Sequence, residues 1–410
     1  MLWMTAAAFL LCACGEKQAV RQADALTVPE GNDRQEAAAE ETGGSGIRLY
    51  CLNVGKADAM ILEAEGKYFV IDCARAENAP FLAAVLRHCG ISRLDGVFIT
   101  HVHKDHAGGA VALSLSGIAV DHWYAPAIFR EAEREEHPAY LAAAIRGQEV
   151  TWLNSGDVIT LGNGASIAVI GPVTENKNND NNNSLVMRLE TKDGSILFCG
   201  DMKEEEENTL LGKNLIGHSD VLKTGHHGDS GASSAAFLAR VTPKAAVIST
   251  STAEEPDTPA SGTVKRLNGV RSKICVTQDY SDALLVEMKA GNVTVSDQVF
   301  EGLPARMTGI DMRLDTENDT VMLINNTSVT QRLKGYTLLF INNGGDSAAL
   351  PDITVAPRSR IVIGGKKSKG DTDITLKYKN RFINKNKRST VVLIDEYGRA
   401  VCRASNGLAE

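Results

Sequence analysis

The chain has 410 residues, 43% of them apolar, and a formal net charge of -8. That length exceeds an ordinary single domain, so two domains with sizeable cores are expected. The net charge argues against a chain that grips nucleic acid over its whole surface. The average hides a split, however: Asp311 to Glu410 holds 16 Lys and Arg against 11 Asp and Glu. The tail is therefore basic and the remainder acidic.

The chain opens with an apolar run, Met1 to Leu11, followed by Cys12-Ala13-Cys14-Gly15. This run is shorter than the ~20 residues that a membrane-spanning helix needs, and it fits a secretory signal over residues 1–14. Leu11 to Cys14 resembles a bacterial lipobox, with Cys14 as the lipidated residue. The expectation is an exported, membrane-anchored lipoprotein facing outside the cytoplasm, with cleaved soluble export as the alternative. Residues 15–46 are rich in Ala, Glu, Gln, Gly and Asp and carry no strand pattern. They read as a flexible linker. Beyond Cys14, the six remaining cysteines are scattered, without a C-x-x-C pair. Free thiols are expected rather than a disulfide framework.

Apolar alternation then marks strands at 48–52, 60–63 and 68–72. Helical spacing follows from Ala79 to Cys89, with Gly90 as a natural stop. A strand over Phe98 to Thr100 runs into His101-Val102-His103-Lys104-Asp105-His106, three histidines and one aspartate within six residues. An apolar strand ending in clustered nitrogen and oxygen donors is how a chain builds a metal site. Alternation puts His101 and His103 on one side, and imidazole and carboxylate suit zinc, manganese or iron. A helix from His106 to Leu115 is expected behind this loop.

Two further strands end in donor types. Ser195 to Cys199 leads into Gly200-Asp201, and Asp220 to Thr224 leads into Gly225-His226-His227-Gly228. Gly-Asp and His-His-Gly are weak alone; three strand-then-donor units in order are not. Asp58 and Asp72 also end early strands, where an aspartate caps a turn or, as the resemblance described below implies, orients a metal-binding histidine from behind. Strands and helices keep alternating to a last strand pair near 284–288 and 293–295, as in a layered α/β sandwich.

These segments together resemble the metallo-β-lactamase fold and, within it, the ComEC-like hydrolases. The carriers are Asn53 to Ala59, Phe98 to Gly109, Asn181 to Val186, Cys199 to Asp201 and Val221 to Gly228. The resemblance implies an αββα sandwich over residues 47–300 and two divalent metal ions, Zn or Mn. His101 and His103 would hold the first metal; Asp105, His106 and His227 the second; Asp201 would bridge. Asp105 and His226 are the expected catalytic groups, with His226 behind the metal or facing substrate. Asn182, Ser184 and Lys223 are expected to bind substrate, or else to serve as ordinary turn and strand-edge residues. His122 and His137 are the only histidines between the first donor cluster and Asp201. Neither follows a strand in a suitable motif, so the first metal is short of one protein ligand.

The expected activity is phosphodiester hydrolysis, on DNA or another phosphodiester polymer, as an extracellular nuclease. A cell-wall phosphodiesterase of the phosphorylcholine-esterase kind, or a surface binding protein with a residual metal site, are the alternatives. After a linker at 301–311, helical periodicity stops and short β-rich runs separated by turns fill residues 312–410. Segments such as Leu333 to Leu338 and Val392 to Arg399 resemble the lamin-tail domain, implying a small all-β immunoglobulin-like module. Nine cations gather between Lys366 and Arg388, opposed only by Asp371 and Asp373. They are either a solvated edge that blunts strand pairing or a grip on a polyanion.

Overall fold

In the computed structural model of the chain, the residues described are 46–129, 136–303, 307–340, 346–397 and 399–406. The expected signal segment, Cys14 and nearly all of the 15–46 linker lie outside them.

Two sheets form the first domain. An eight-stranded sheet runs in the order Asn292–Gln298, Ala283–Lys289, Ile47–Leu52, Ala59–Ala64, Lys67–Cys73, Gly96–Phe98, Trp123–Pro126, Val150–Leu153. A seven-stranded sheet runs Lys273–Val276, Ala245–Ile248, Val221–Lys223, Gly194–Phe198, Val186–Thr191, Ala165–Gly171, Val158–Gly162. Alternation along each strand sends one set of side chains between the sheets. Leu49, Leu62, Phe69 and Phe98 from the first meet Ile167, Leu189, Phe198 and Val247 from the second.

The opposite faces are covered by helices. Ala79–His88, Ala110–Leu115 and Pro138–Ile145 bury Phe81, Leu82, Leu113 and Ala142 on the first sheet. Glu204–Gly212, Ala235–Val241 and Ser261–Gly269 bury Leu210, Phe237 and Leu267 on the second. The architecture is thus the expected αββα sandwich.

Two local expectations are corrected. The strand expected through Thr100 ends at Phe98, because the Thr100 amide and hydroxyl both donate to Asp72, at 2.8 Å each. The single helix expected from His106 to Leu115 is two, Lys104–Ala107 and Ala110–Leu115. The chain passes so close to Cys73 at the break that a Cβ on Gly109 would sit 2.2 Å from the Cys73 carbonyl oxygen.

Parallel strands carry the site. Lys67–Cys73, Gly96–Phe98 and Trp123–Pro126 pair in parallel, as do Gly194–Phe198, Val221–Lys223 and Ala245–Ile248. Donor loops of both sheets therefore leave from C-terminal strand ends, where ligand sites of α/β folds gather.

The second domain is all β. One four-stranded sheet contains Ile310–Asp315, Thr320–Asn325, Arg360–Gly364 and Ile374–Thr375. The other contains Asp346–Ala349, Thr337–Phe340, Thr390–Ile394 and Ala400–Ser405. Val321, Leu323 and Ile363 of one meet Leu338, Phe340, Val391 and Leu393 of the other in a shared core. The six cysteines of the described residues are all free. No helix among the described residues is long and apolar enough to cross a membrane.

Candidate metal centre

Three strand ends bring the donors together. His101, His103, Asp105 and His106 follow Gly96–Phe98; Asp201 follows Gly194–Phe198; His226 and His227 follow Val221–Lys223. Two donor clusters result: Asp58, His106, Asp201 and His227 in one, His101, His103 and Asp201 in the other, each with ligand atoms within 4.8 Å of one another. Asp201 belongs to both.

The first cluster is held rigidly. Asp72 accepts from His106 Nδ1 at 2.7 Å, so it orients the ring rather than capping a turn. His227 Nδ1 donates to the Ser249 carbonyl at 2.7 Å. With both Nδ1 protons committed, neutral rings present bare Nε2 lone pairs, and these face each other at 3.2 Å. Asp201 Oδ1 lies 3.1 and 3.5 Å from the same nitrogens. Lone pairs and a carboxylate converging in a buried space call for a cation between them. The donor set fits a divalent metal.

The buried carboxylates favour a positive charge in this space. Burial disfavours a charged imidazole, yet the Asp201 and Asp72 carboxylates hold His106 well above its usual value. His101, by contrast, is driven well below its usual value by burial and by neighbouring His106. Burial opposes ionisation of Asp201, but His106 and His227 outweigh it and keep its carboxyl well below the ordinary range.

The backbone is bent to make this possible. His226 and His227 both sit in the left-handed region, at φ 45° and 54°. Side chains rarely adopt this without compensation, and such strain collects at functional sites. Gly200, at φ 51°, lets the Asp201 loop approach closely; a Cβ there would lie 2.8 Å from the Ser184 Cβ.

Asp105 lies beside the first cluster, its Oδ2 3.5 Å from His227 Nε2 and 3.8 Å from Lys56 Nζ. Asp58 sits deeper. It forms a 2.8 Å ion pair with Lys223, and both side chains are fully buried. Asp58 is held by its ammonium at hydrogen-bond distance, whereas Asp105 stands 3.8 Å from Lys56, so Asp105 is the freer of the two to take a metal. Burial would raise the Asp58 carboxyl, but Lys223 outweighs it and lowers it.

The three residues expected to bind substrate or to serve as turn and strand-edge residues are buried. The Lys223 ammonium lies between Asp58 and the Thr224 carbonyl. Ser184 is fully buried and its Oγ accepts from the Asp201 amide at 3.0 Å. Asn182, 2% exposed, accepts from the Lys203 amide and donates to Glu205. All three shape the site from behind. Of that asparagine run, Asn181 faces the centre, 3.3 Å from His226 Nε2. His226 itself is half-buried, 3.8 Å from Asp201 and 3.6 Å from Asp229. His137 caps the helix Pro138–Ile145 through Nδ1, and burial pushes its pKa down to about 4. It is a structural histidine, as its lack of a donor motif implied.

Missed from the sequence was the pairing of Arg75 with Glu254, at 2.8 Å, which closes one side of the centre. Glu254 also accepts from the Lys56 amide at 3.1 Å. Arg75 and Glu254 are 179 residues apart, so no local pattern announces the pair.

The family model described as the metallo-beta-lactamase superfamily matches residues 52–252. This chain carries a metallo-beta-lactamase superfamily domain. ComE operon protein 3 of Bacillus subtilis (strain 168) is 32% identical over 170 residues, covering 42% of this chain and 21% of that one. Competence protein ComA of Neisseria gonorrhoeae is 26% identical over 245 residues, covering 59% and 32%. Ribonuclease Z of Brevibacillus brevis is 37% identical over 73 residues, covering 18% and 22%. The chain thus spans a fifth to a third of the length of these relatives. The similarity to ComE operon protein 3 and ComA agrees with the ComEC-like motifs of the metallo-beta-lactamase domain. The tail lies outside the matched residues.

Proposed function

We propose that this metallo-beta-lactamase domain hydrolyses phosphodiesters with two divalent metals, Zn or Mn, and acts on extracellular DNA. The observation that carries the reading is the pair of donor clusters that share Asp201. His101 and His103 would hold one metal, and Asp105, His106 and His227 the other. Metals held there would supply an acidified water and charge stabilisation for displacement at phosphorus.

The chain's own groups prepare the rest. Asp72 and the Ser249 carbonyl fix the tautomers of His106 and His227. The Lys223–Asp58 pair is a fixed, net-neutral ion pair beneath the ligands. His226, held toward the cleft by Asn181 and Asp229, is positioned to donate a hydrogen bond to a phosphoryl oxygen or to the leaving group. The names of two relatives, a competence protein and a ribonuclease, favour a nucleic-acid substrate over a β-lactam.

The test is hydrolysis of bis-p-nitrophenyl phosphate and of linear DNA by the purified chain loaded with Mn or Zn. Turnover of both is expected. A fully loaded protein inert on every phosphodiester would leave the surface-binding reading in its place. Export rests on the apolar segment ending at Cys14. Cys14→Ala is expected to move the protein from membranes to the soluble extracytoplasmic fraction, since stable anchoring needs acyl chains on that cysteine. Unaltered fractionation would count against lipidation.

A further inference from the structure

The β domain is docked on the hydrolase domain by a buried cation. Arg399 is 2% exposed and pairs with Asp395 of its own domain at 2.7 Å. It also reaches Asp282 of the hydrolase domain at 3.3 Å. Its guanidinium lies 5.4 Å from the Phe81 ring and 5.1 Å from the Tyr397 ring, and those two rings meet edge to face. Arg403 adds a hydrogen bond to the Thr252 carbonyl. A charge sealed between two domains with carboxylates and aromatic faces holds their relative placement.

That placement closes the catalytic cleft. A cleft of about 940 Å³ is lined on one side by Lys56, Arg75, His103, Lys104 and Asp105. On the other it is lined by Leu339, Asp346 and Ser347 of the β domain. Asp346 also lines a second groove of about 580 Å³, whose other walls include Lys367, Arg381, Asn384 and Lys385. The two hollows therefore adjoin at one residue. The charge of Asp346 there is partly satisfied by Tyr378 Oη at 3.1 Å and Asn380 Nδ2 at 3.3 Å.

We propose that the β domain builds the outer wall of the active-site cleft, and that its Lys367–Arg381–Lys385 groove holds the backbone of a phosphodiester polymer entering that cleft. The proposal rests on the phosphodiesterase reading and names where the polymer lies. Charge makes the groove necessary. Outside the tail the chain is net acidic, and a polyanion approaching it is repelled over roughly a Debye length of 8 Å. Exposed lysines beside the entrance reverse that field locally. They neutralise phosphates by releasing counterions, without reading bases. Asn380, Asn384 and Asn386, interleaved with the cations, add neutral donors for phosphate oxygens.

The test uses the full chain. Binding of a labelled 30-nucleotide single-stranded DNA and of a labelled poly(glycerol phosphate) is followed by fluorescence anisotropy at about 50 mM and 200 mM salt. The variant is Lys367→Glu with Lys385→Glu; both side chains are exposed. The charge-matched control is Lys192→Glu with Lys289→Glu, also exposed and on the hydrolase domain. At the lower salt, the groove variant is expected to bind at least ~10-fold more weakly, and its salt slope to fall by roughly 1.4 or more. The control is expected to bind as the parent does. Loss in the DNA arm, the polyol-phosphate arm or both supports the groove and identifies the polymer. Parental affinity and slope in both arms, or equal loss in the control, overturns it. The two proposals fail separately. A protein that cleaves bis-p-nitrophenyl phosphate but binds polymer unchanged in the variant loses the groove alone. One that binds through the groove but cleaves no diester loses the activity alone.

Discussion

The two corners of the metal centre are built differently. At the His106–His227 corner each imidazole is buried and locked from behind, by Asp72 and by the Ser249 carbonyl. At the His101–His103 corner, His101 has the Thr100 hydroxyl at 3.2 Å, while half-buried His103 leans on His101 at 3.0 Å. The first corner is preorganised by two sheets; the second depends on one loop and one shared aspartate. Orientation from behind raises a ligand's basicity and lowers the entropy lost on binding. The two corners should therefore differ in metal affinity, the outer one filling last and emptying first.

The strongest way to break this comparison is Asp201→Ala. Because Asp201 serves both corners, the variant is expected to lose both metals by elemental analysis. Turnover should fall by more than the ~10–100-fold that an orienting partner is worth. Retention of both metals would dissolve the shared-bridge arrangement.

Lys223→Met probes the foundation of the inner corner. It leaves Asp58 buried and uncompensated, so a loss of about 3–5 kcal/mol in unfolding free energy is expected. Denaturant melts of the apo protein measure it. A change within 1 kcal/mol, on the order of a neutral surface substitution, would mean that Asp58 takes up a proton at no cost.

Asp72→Ala and His103→Ala sharpen the contrast between corners. Asp72→Ala is expected to weaken the inner metal by ~10–100-fold; His103→Ala should empty the outer position and leave the inner one filled. Competition with a graded chelator resolves the two steps. A single step of equal affinity in the parent protein would show that the corners do not differ.

The smallest effect separates the paired histidines. His226→Ala should keep its metal while losing turnover, and His227→Ala should lose metal. If the His226 variant alone comes up short of metal, the assignment within the pair is reversed.

Much of this was legible in the chain. The order of strands and donor motifs sufficed for a layered α/β sandwich, and the resemblance those motifs carry for the αββα arrangement, since period-2 alternation and strand-end donors are local properties. His101, His103, His106 and His227 were legible because each follows an apolar strand within a few residues. The roles of Lys223, Asn182 and Ser184 were not. A polar residue beside a donor motif reads alike whether it faces substrate or core, and only burial separates the cases.

What the sequence displayed by itself is therefore the strand-end donor motifs, the change from alternating helices and strands to short β-rich runs, and the split in charge, all carried by residues that are neighbours along the chain. What only the tertiary structure decided is which partners meet across distance. Asp58 finds Lys223, Arg75 finds Glu254, Asp72 finds His106, and Arg399 ties the β domain to Asp282. These pairings join residues separated by tens to hundreds of positions. Their energy comes from sharing a desolvated space, which exists only once both sheets and both domains have packed.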